Sequence, residues 1–318
     1  MIGRERDMKD AAVFYSQVDN PEPWRAALAG LLPDLDFVLA DDVTDPAAVR
    51  YALVWSPPRG FFARFPNLRM IVALGAGVDA LVTRDDLPPG VAITRLHDPL
   101  MSRMMASYVL FATLRLARDM PAFEAAQRRG QWHFIEPRPL NLTRVGVMGL
   151  GELGLLAARE CARQGFTVRG WSRSPKSDPA ITCYSGMDSL PDFLGGCDIL
   201  VCLLPKTPQT IGLLDAERLA MLPRGAAFVN VARGAIVDQD ALVAALESGQ
   251  IGQATLDVFA QEPLPGDHPL WRMENVLITP HVASAALPDS AAPQVAENIR
   301  RLRADLPVTD AVDVARGY

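Results

Sequence analysis

Short apolar runs alternate along the chain with longer segments of helical period, and the alternation changes character part-way. In the first third, residues 12–15, 36–39, 51–55, 70–74 and 92–94 read as five strands with helical segments between them, which predicts a small parallel α/β layer. From 102 to 118 apolar residues recur at helical spacing, with Pro121 just beyond, so a helix long enough to bridge two domains is expected there. The stretch 130–141, containing Trp132, Pro137 and Pro139, has no period and reads as a loop.

A second, sharper alternation starts at Arg144. Its runs, 145–148, 167–171, 199–203, 227–231, 254–256 and 276–278, are apolar on both faces, as parallel strands covered by helices on each side must be. Beyond His281, residues 288–306 read as one helix before a polar tail. At 318 residues the chain is longer than one hydrophobic core usually organises, so two α/β domains are expected.

Composition narrows the function. Hydrophobic residues make up 49% and charged residues 21%, a globular balance without disordered bias. The net charge of −6, with no basic run, argues against nucleic acid as a partner, because phosphate binding needs a basic face. Cys161, Cys183, Cys197 and Cys202 lack metal-ligand spacing and a histidine cluster, so no metal site is expected and a reducing compartment fits. The charged N-terminus, residues 1–10, resembles neither a signal nor a transit peptide, and the apolar stretches 109–116 and 199–204 are too short or interrupted to span a bilayer. A soluble cytoplasmic protein without membrane contact is the expectation.

Arg144-Val145-Gly146-Val147-Met148 runs directly into Gly149-Leu150-Gly151-Glu152-Leu153-Gly154, which opens a helix over 155–164. In this setting the first glycine permits a tight turn, the second admits a pyrophosphate to the backbone, and the third lets helix and strand pack closely. The helix N-terminus adds N–H groups and partial positive charge. These six residues form the expected dinucleotide site. An acidic residue at the end of the following strand usually accepts from the ribose 2′-OH of NAD. Here that end reads Trp171-Ser172-Arg173-Ser174-Pro175-Lys176, so Ser172, Arg173, Ser174 and Lys176 replace the carboxylate and predict NADP(H) in preference to NAD(H).

Among His97, His133, His268 and His281, only His281 follows an apolar strand, at the edge where ligands of an open α/β sheet bind. Imidazole there suits proton transfer near neutral pH. Arg233 follows another strand, and its planar fork can bind a substrate carboxylate and polarise the adjacent carbonyl. Glu262 follows a third, where a carboxylate bonded to the imidazole stabilises its cation and keeps a proton ready for a nascent alkoxide. Three strand ends converging on the edge that holds the glycine loop predict a hydride-transfer site.

These segments, with Leu74-Gly75-Ala76-Gly77-Val78-Asp79, Leu203-Leu204-Pro205-x-Thr207-Pro208-x-Thr210 and Thr279-Pro280-His281, resemble the D-isomer-specific 2-hydroxyacid dehydrogenase family, which also includes formate, phosphoglycerate and hydroxypyruvate enzymes. The resemblance runs from Met70 almost to the C-terminus. Trp171-Ser172-Arg173-Ser174, Pro269-Leu270-Trp271-Arg272 and Ala315-Arg316-Gly317-Tyr318 are similar to the glyoxylate/hydroxypyruvate reductase A subgroup.

The resemblance implies two Rossmann-like or flavodoxin-like parallel-sheet α/β domains with an interdomain cleft. Residues 1–99 plus 287–318 would be the substrate (catalytic) domain and 100–286 the NAD(P)-binding Rossmann domain. It implies NADPH-dependent reduction of a small 2-oxo acid, with Arg233 gripping the carboxylate, His281 donating the proton and Glu262 orienting it. Trp55, Gly75, Ala76 and Gly77 would add substrate contacts; Leu203, Leu204, Pro205, Thr210, Val231, Ala232 and Asp257 would contact the cofactor, Asp257 at the nicotinamide carboxamide. A homodimer built on nucleotide-domain helices and the 130–141 arm is implied too. In one departure, Ser107 stands where relatives often carry a carboxylate, beside the methionine-rich stretch 101–105 with Met101, Arg103 and Met105; the resemblance implies a region that approaches nicotinamide and substrate and bears on substrate size, while the residues by themselves read as a methionine-packed helix start. Two competing readings are a dehydrogenase for a bulkier acid such as phenylpyruvate and a non-catalytic NAD(P)-sensing binding protein.

Overall fold

The computed structural model describes residues 10–313. The charged segment up to residue 9, read above for targeting signals, and the subgroup-like ending Ala315-Arg316-Gly317-Tyr318 lie outside the described residues. The chain divides into two compact units: one is Ser102–Ser284, and the other is formed by the residues on either side of it.

In the first unit, β1 (Ala11–Tyr15), α1 (Pro21–Leu31), β2 (Asp36–Leu39), β3 (Val49–Val54), β4 (Met70–Ala73), α2 (Asp79–Val82) and β5 (Ala92–Arg95) follow one another. The helix α3 (Pro99–Ala117) then leads into the second unit. There the order is α4 (Met120–Arg128), β6 (Arg144–Met148), α5 (Glu152–Arg163), β7 (Thr167–Ser172), β8 (Thr182–Ser185), α6 (Leu190–Gly195), β9 (Ile199–Cys202), α7 (Ala216–Ala220), β10 (Ala226–Asn230), α8 (Gln239–Glu247), β11 (Ile251–Leu256) and β12 (Val276–Ile278). Finally α9 (Pro288–Arg303) returns to the first unit.

The first sheet has the strand order β2-β1-β3-β4-β5, all parallel. Its five strands are the five that the apolar runs predicted. At the start of α1 the Asn20 side chain accepts the Glu22 N–H at 3.1 Å and Pro21 takes the first helical position. Trp24 and Leu28, one turn apart, are buried with Ala292, Val295 and Ile299 of α9. Burying each large side chain there contributes roughly 2–3 kcal/mol.

The second sheet has the order β12-β11-β10-β9-β6-β7-β8, again parallel throughout. Its first strand, β6, lies between β9 and β7, so the winding reverses there. The carboxyl ends of β6 and β9 therefore flank the switch point at which such sheets take their ligands.

Two elements differ from the sequence reading. The edge strand β8 is polar and mostly half-exposed, so no apolar run marks it. Pro121, read as lying past the end of a helix, sits in the first turn of α4, where its missing N–H would have had no helical partner. The break between α3 and α4 falls at Asp119, whose φ is 55°. Met101 and Met105 are both buried, as expected of a methionine-packed helix start, and the Ser107 hydroxyl donates back to Met104 O at 2.8 Å. Among the described residues no helix is long and apolar enough to cross a membrane.

Candidate active site and dinucleotide site

The glycine loop is shaped by close approach at two of its three glycines. Gly149 has φ 104°, and a Cβ there would lie 2.6 Å from Leu203 O at the end of β9. At Gly154 a Cβ would fall 1.8 Å from Gly149 O, so α5 packs directly onto the turn that precedes it. Gly151 differs. A Cβ there would meet nothing within 4 Å, and no side chain caps the helix it begins. An open approach to the start of a twelve-residue helix fits a diphosphate. Leu150 and Leu153 pack inward, while Glu152 is exposed and accepts from the buried Ser102 hydroxyl at 3.1 Å.

Beyond β7, Arg173, Ser174 and Lys176 are exposed on a turn. Ser172 is buried, and its hydroxyl donates to Ser174 O at 2.8 Å, so this side chain shapes the turn. On the loop after β9, the Thr210 hydroxyl donates to Pro205 O at 2.6 Å and accepts the Thr207 N–H at 2.8 Å. Leu203 is half-buried, Leu204 is buried and Pro205 is exposed beside it.

Arg233, Glu262 and His281 belong to one grouping. Val231 and Ala232, both buried, carry the chain from β10 to Arg233. The fully buried Asn230 folds this turn: its Oδ1 accepts the Ala232 N–H at 3.1 Å and its Nδ2 donates to Arg233 O at 3.2 Å. Gly234 then lets the turn touch the next strand's loop, since a Cβ would stand 1.8 Å from the Phe259 carbonyl carbon. That loop carries Glu262, whose Oε1 accepts the Phe259 N–H at 2.9 Å and whose Oε2 is 2.8 Å from His281 Nδ1. Burial pushes the Glu262 carboxyl up, but the His281 hydrogen bond, the Phe259 N–H and the nearby His281 and Arg233 charges outweigh it and hold it below its ordinary value.

His281 is held by Asp257, which is almost completely buried. The carboxylate takes three donors: the Thr279 hydroxyl at 2.6 Å and the Val282 N–H at 2.8 Å on Oδ1, and the Ala283 N–H at 2.9 Å on Oδ2. In addition the His281 N–H donates to Asp257 O at 2.8 Å. Because Thr279 donates to Asp257, the Tyr108 hydroxyl of α3 donates to Thr279 Oγ1, at 2.5 Å. Asp257 was expected only as a nicotinamide contact; here it also organises the turn that carries the histidine. Oδ2 retains acceptor capacity for one more donor. Neither Tyr108 nor Asn230 has a sequence signature for these roles, because the partner of Tyr108 lies in a distant segment and those of Asn230 are backbone groups.

In the first unit, Trp55 directly follows β3 and Gly75 lies two residues past β4. A Cβ on Gly75 would lie 2.8 Å from Trp55 Cζ3, so the indole rests on the glycine backbone. Ala76 and Gly77 are half-buried on the same loop. The three buried thiols are poor candidates for chemistry: burial pushes Cys161 up to about 11 and Cys197 and Cys202 up to about 12. Among the described residues no group of three or more His, Cys, Asp or Glu side chains is placed to hold a metal ion.

Comparison with known proteins gives four matches of three kinds. A family model described as D-isomer specific 2-hydroxyacid dehydrogenase, NAD binding domain, matches residues 110–283. A glyoxylate/hydroxypyruvate reductase A of Yersinia enterocolitica is 40% identical over 312 residues, covering 96% of this chain and 99% of the relative. The crystal structure of a D-isomer specific 2-hydroxyacid dehydrogenase from Xanthobacter autotrophicus Py2 in complex with NADPH and MES is 59% identical, with a TM-score of 0.92 over 98% of this chain and 100% of that one. That of an NADPH-dependent glyoxylate/hydroxypyruvate reductase from Sinorhizobium meliloti in complex with NADP and sulfate is 34% identical, with a TM-score of 0.91 over 98% and 100%.

Proposed function

The chain belongs to the D-isomer specific 2-hydroxyacid dehydrogenase family, and from that premise we propose that it reduces a small 2-oxo acid of the glyoxylate or hydroxypyruvate type to the 2-hydroxy acid with NADPH. The observation that carries this reading is the grouping of Arg233, Glu262 and His281 at three strand ends of the sheet that also bears the glycine loop. The reductase names of the relatives and the NADPH and NADP in two similar structures support it.

NADPH, when bound, supplies the hydride. Gly149 to Gly154 would hold its diphosphate at the start of α5, the exposed Arg173 and Lys176 would take the 2′-phosphate, and the segments Leu203–Leu204–Pro205 and Val231–Ala232 would contact the rest of it. Thr210 and Ser172 act by folding those loops. Asp257 Oδ2, which already takes the Ala283 N–H, would also accept from the nicotinamide carboxamide. Arg233 grips the substrate carboxylate and draws electron density from the adjacent carbonyl. With Nδ1 committed to Glu262, His281 delivers its proton through Nε2 to the carbonyl oxygen as it becomes an alkoxide. The ionised Glu262 fixes the tautomer and stabilises the imidazolium.

The first unit is the substrate domain in this reading, with Trp55, Gly75, Ala76 and Gly77 as its contacts, and the second is the nucleotide domain. The partner is a second copy of the chain: Phe111, Met120, Trp132, Phe134 and Leu142 put exposed apolar surface on one stretch of the second unit. Nucleic acid is not a partner of so acidic a chain, and the cytoplasm, with reduced cysteines, is its compartment.

A spectrophotometric assay of NADPH oxidation against glyoxylate, hydroxypyruvate and phenylpyruvate tests the proposal. Turnover highest with the two small acids supports it. Preference for phenylpyruvate moves the function to a bulkier acid, and NADPH binding without turnover of any acid points to a sensing protein.

A further inference from the structure

Between β7 and β8 the sequence carries a single carboxylate, Asp178, directly after the basic turn of Arg173 and Lys176. Its side chain is only 3% exposed, and both oxygens are engaged. Arg159 Nε donates to Oδ2 at 2.8 Å and the Ala180 N–H donates to Oδ1 at 3.0 Å. The Ala180 N–H, with the Arg159 guanidinium, holds the carboxyl below its ordinary value, so it is a masked anion. Arg159 projects from α5, the helix that begins at the glycine loop. A second tie joins the same two places. At Gly170 of β7 a Cβ would lie 2.7 Å from both Leu150 methyls and 3.1 Å from Ile181 Cγ2, so Leu150 of the glycine loop and Ile181 at the end of the turn pack over the same glycine, in one apolar cluster.

The chemistry of this placement bears on cofactor choice. A carboxylate at the end of the second strand of such a sheet accepts from a ribose 2′-OH and repels a 2′-phosphate, and Asp178 stands six residues past that end, in the loop that carries the basic turn. We propose that Asp178 is such an acid held inward and neutralised by Arg159, and that this pair, together with Arg173 and Lys176, sets the preference for NADPH over NADH. Arg159 and Asp178 are positioning residues: they act through the charge and shape of the turn. The inference rests on the NADPH reading above.

The test compares KM and kcat for NADPH and NADH at a fixed saturating oxo acid in the wild type, R159M, R159K, D178N and R159M/D178N. In R159M the uncompensated acid raises KM for NADPH about fivefold or more relative to KM for NADH, with the larger change in KM than in kcat. Adding D178N restores the ratio, because the amide oxygen still accepts from Ala180 N–H without a charge. R159K keeps a cation in place and keeps the preference. D178N alone retains or increases it. Equal changes for both cofactors in R159M, or a ratio that D178N does not restore, overturn the proposal and leave the pair as a fold brace. Should R159M not yield folded protein, R159Q supplies the same comparison, and a loss of NADPH preference in D178N alone is equally decisive against it. A wild type that does not prefer NADPH refutes the cofactor reading instead, a result separable from the others.

Discussion

His281 Nδ1 lies 2.8 Å from Glu262 Oε2, although the two residues are 19 positions apart and follow different strands. The histidine reaches that position with a left-handed backbone, φ 55°, which a non-glycine residue adopts only when its surroundings hold it there. Asp257 supplies the hold through the N–H groups of residues 281, 282 and 283. Replacing the ring while keeping that turn should isolate its chemistry. His281→Ala is expected to lower kcat by about 100-fold or more, with NADPH affinity retained, as measured by fluorescence titration. Wild-type turnover in this variant would remove His281 from the proton-transfer role.

Glu262 gives the pair a pH signature. Its folded value is lowered from 4.5, so the ionised carboxylate stabilises the native state fully above that pH, and the stabilisation is lost as pH falls through the lowered value. The Tm difference between wild type and Glu262→Gln should therefore be largest near neutrality and shrink as the pH falls below 4.5. A difference that grows on acidification contradicts the assignment. At neutral pH the same variant should lose about tenfold or more in kcat.

Gly234 holds the arginine turn against the loop of Glu262. A methyl group there must displace the Phe259 backbone, so Gly234→Ala is expected to cost about 1–3 kcal/mol in thermal or denaturant unfolding and to raise KM for the oxo acid. Arg233→Ala should weaken oxo-acid use by about 100-fold in kcat/KM without weakening NADPH. Arg233→Lys should restore little of it, since a point charge cannot reproduce the fork.

Tyr108 donates to Thr279, which donates to Asp257. Tyr108→Phe removes the first link and leaves the ring, so a loss of about 1 kcal/mol in stability is expected, with a several-fold fall in kcat and little change in KM for NADPH. Unchanged kcat would confine the tyrosine to packing.

Arg173 tests the exposed half of cofactor choice. Arg173→Ala should reduce the NADPH to NADH efficiency ratio by about tenfold, and an unchanged ratio would exclude a 2′-phosphate contact.

Much of this protein was legible in one dimension. Among the described residues eleven of the twelve strands stand out as apolar runs, because parallel strands covered by helices need them; β8, polar and at an edge, does not. The glycine loop was legible because turn, close approach and helix packing each demand glycine at a fixed spacing. By its local chemistry alone the sequence determined the strand–loop–helix dinucleotide motif, a basic turn in place of an acidic one, and an arginine, a glutamate and a histidine each placed just beyond a strand. Only the tertiary structure decided that Gly234 brings the arginine turn onto the Phe259 backbone, that Glu262 meets Nδ1, that Asp257 serves the histidine turn, and that Asp178 faces Arg159. The physical reason is that these relationships depend on strand order and side-chain direction at separations of 19 or more residues, where neither period nor spacing carries information.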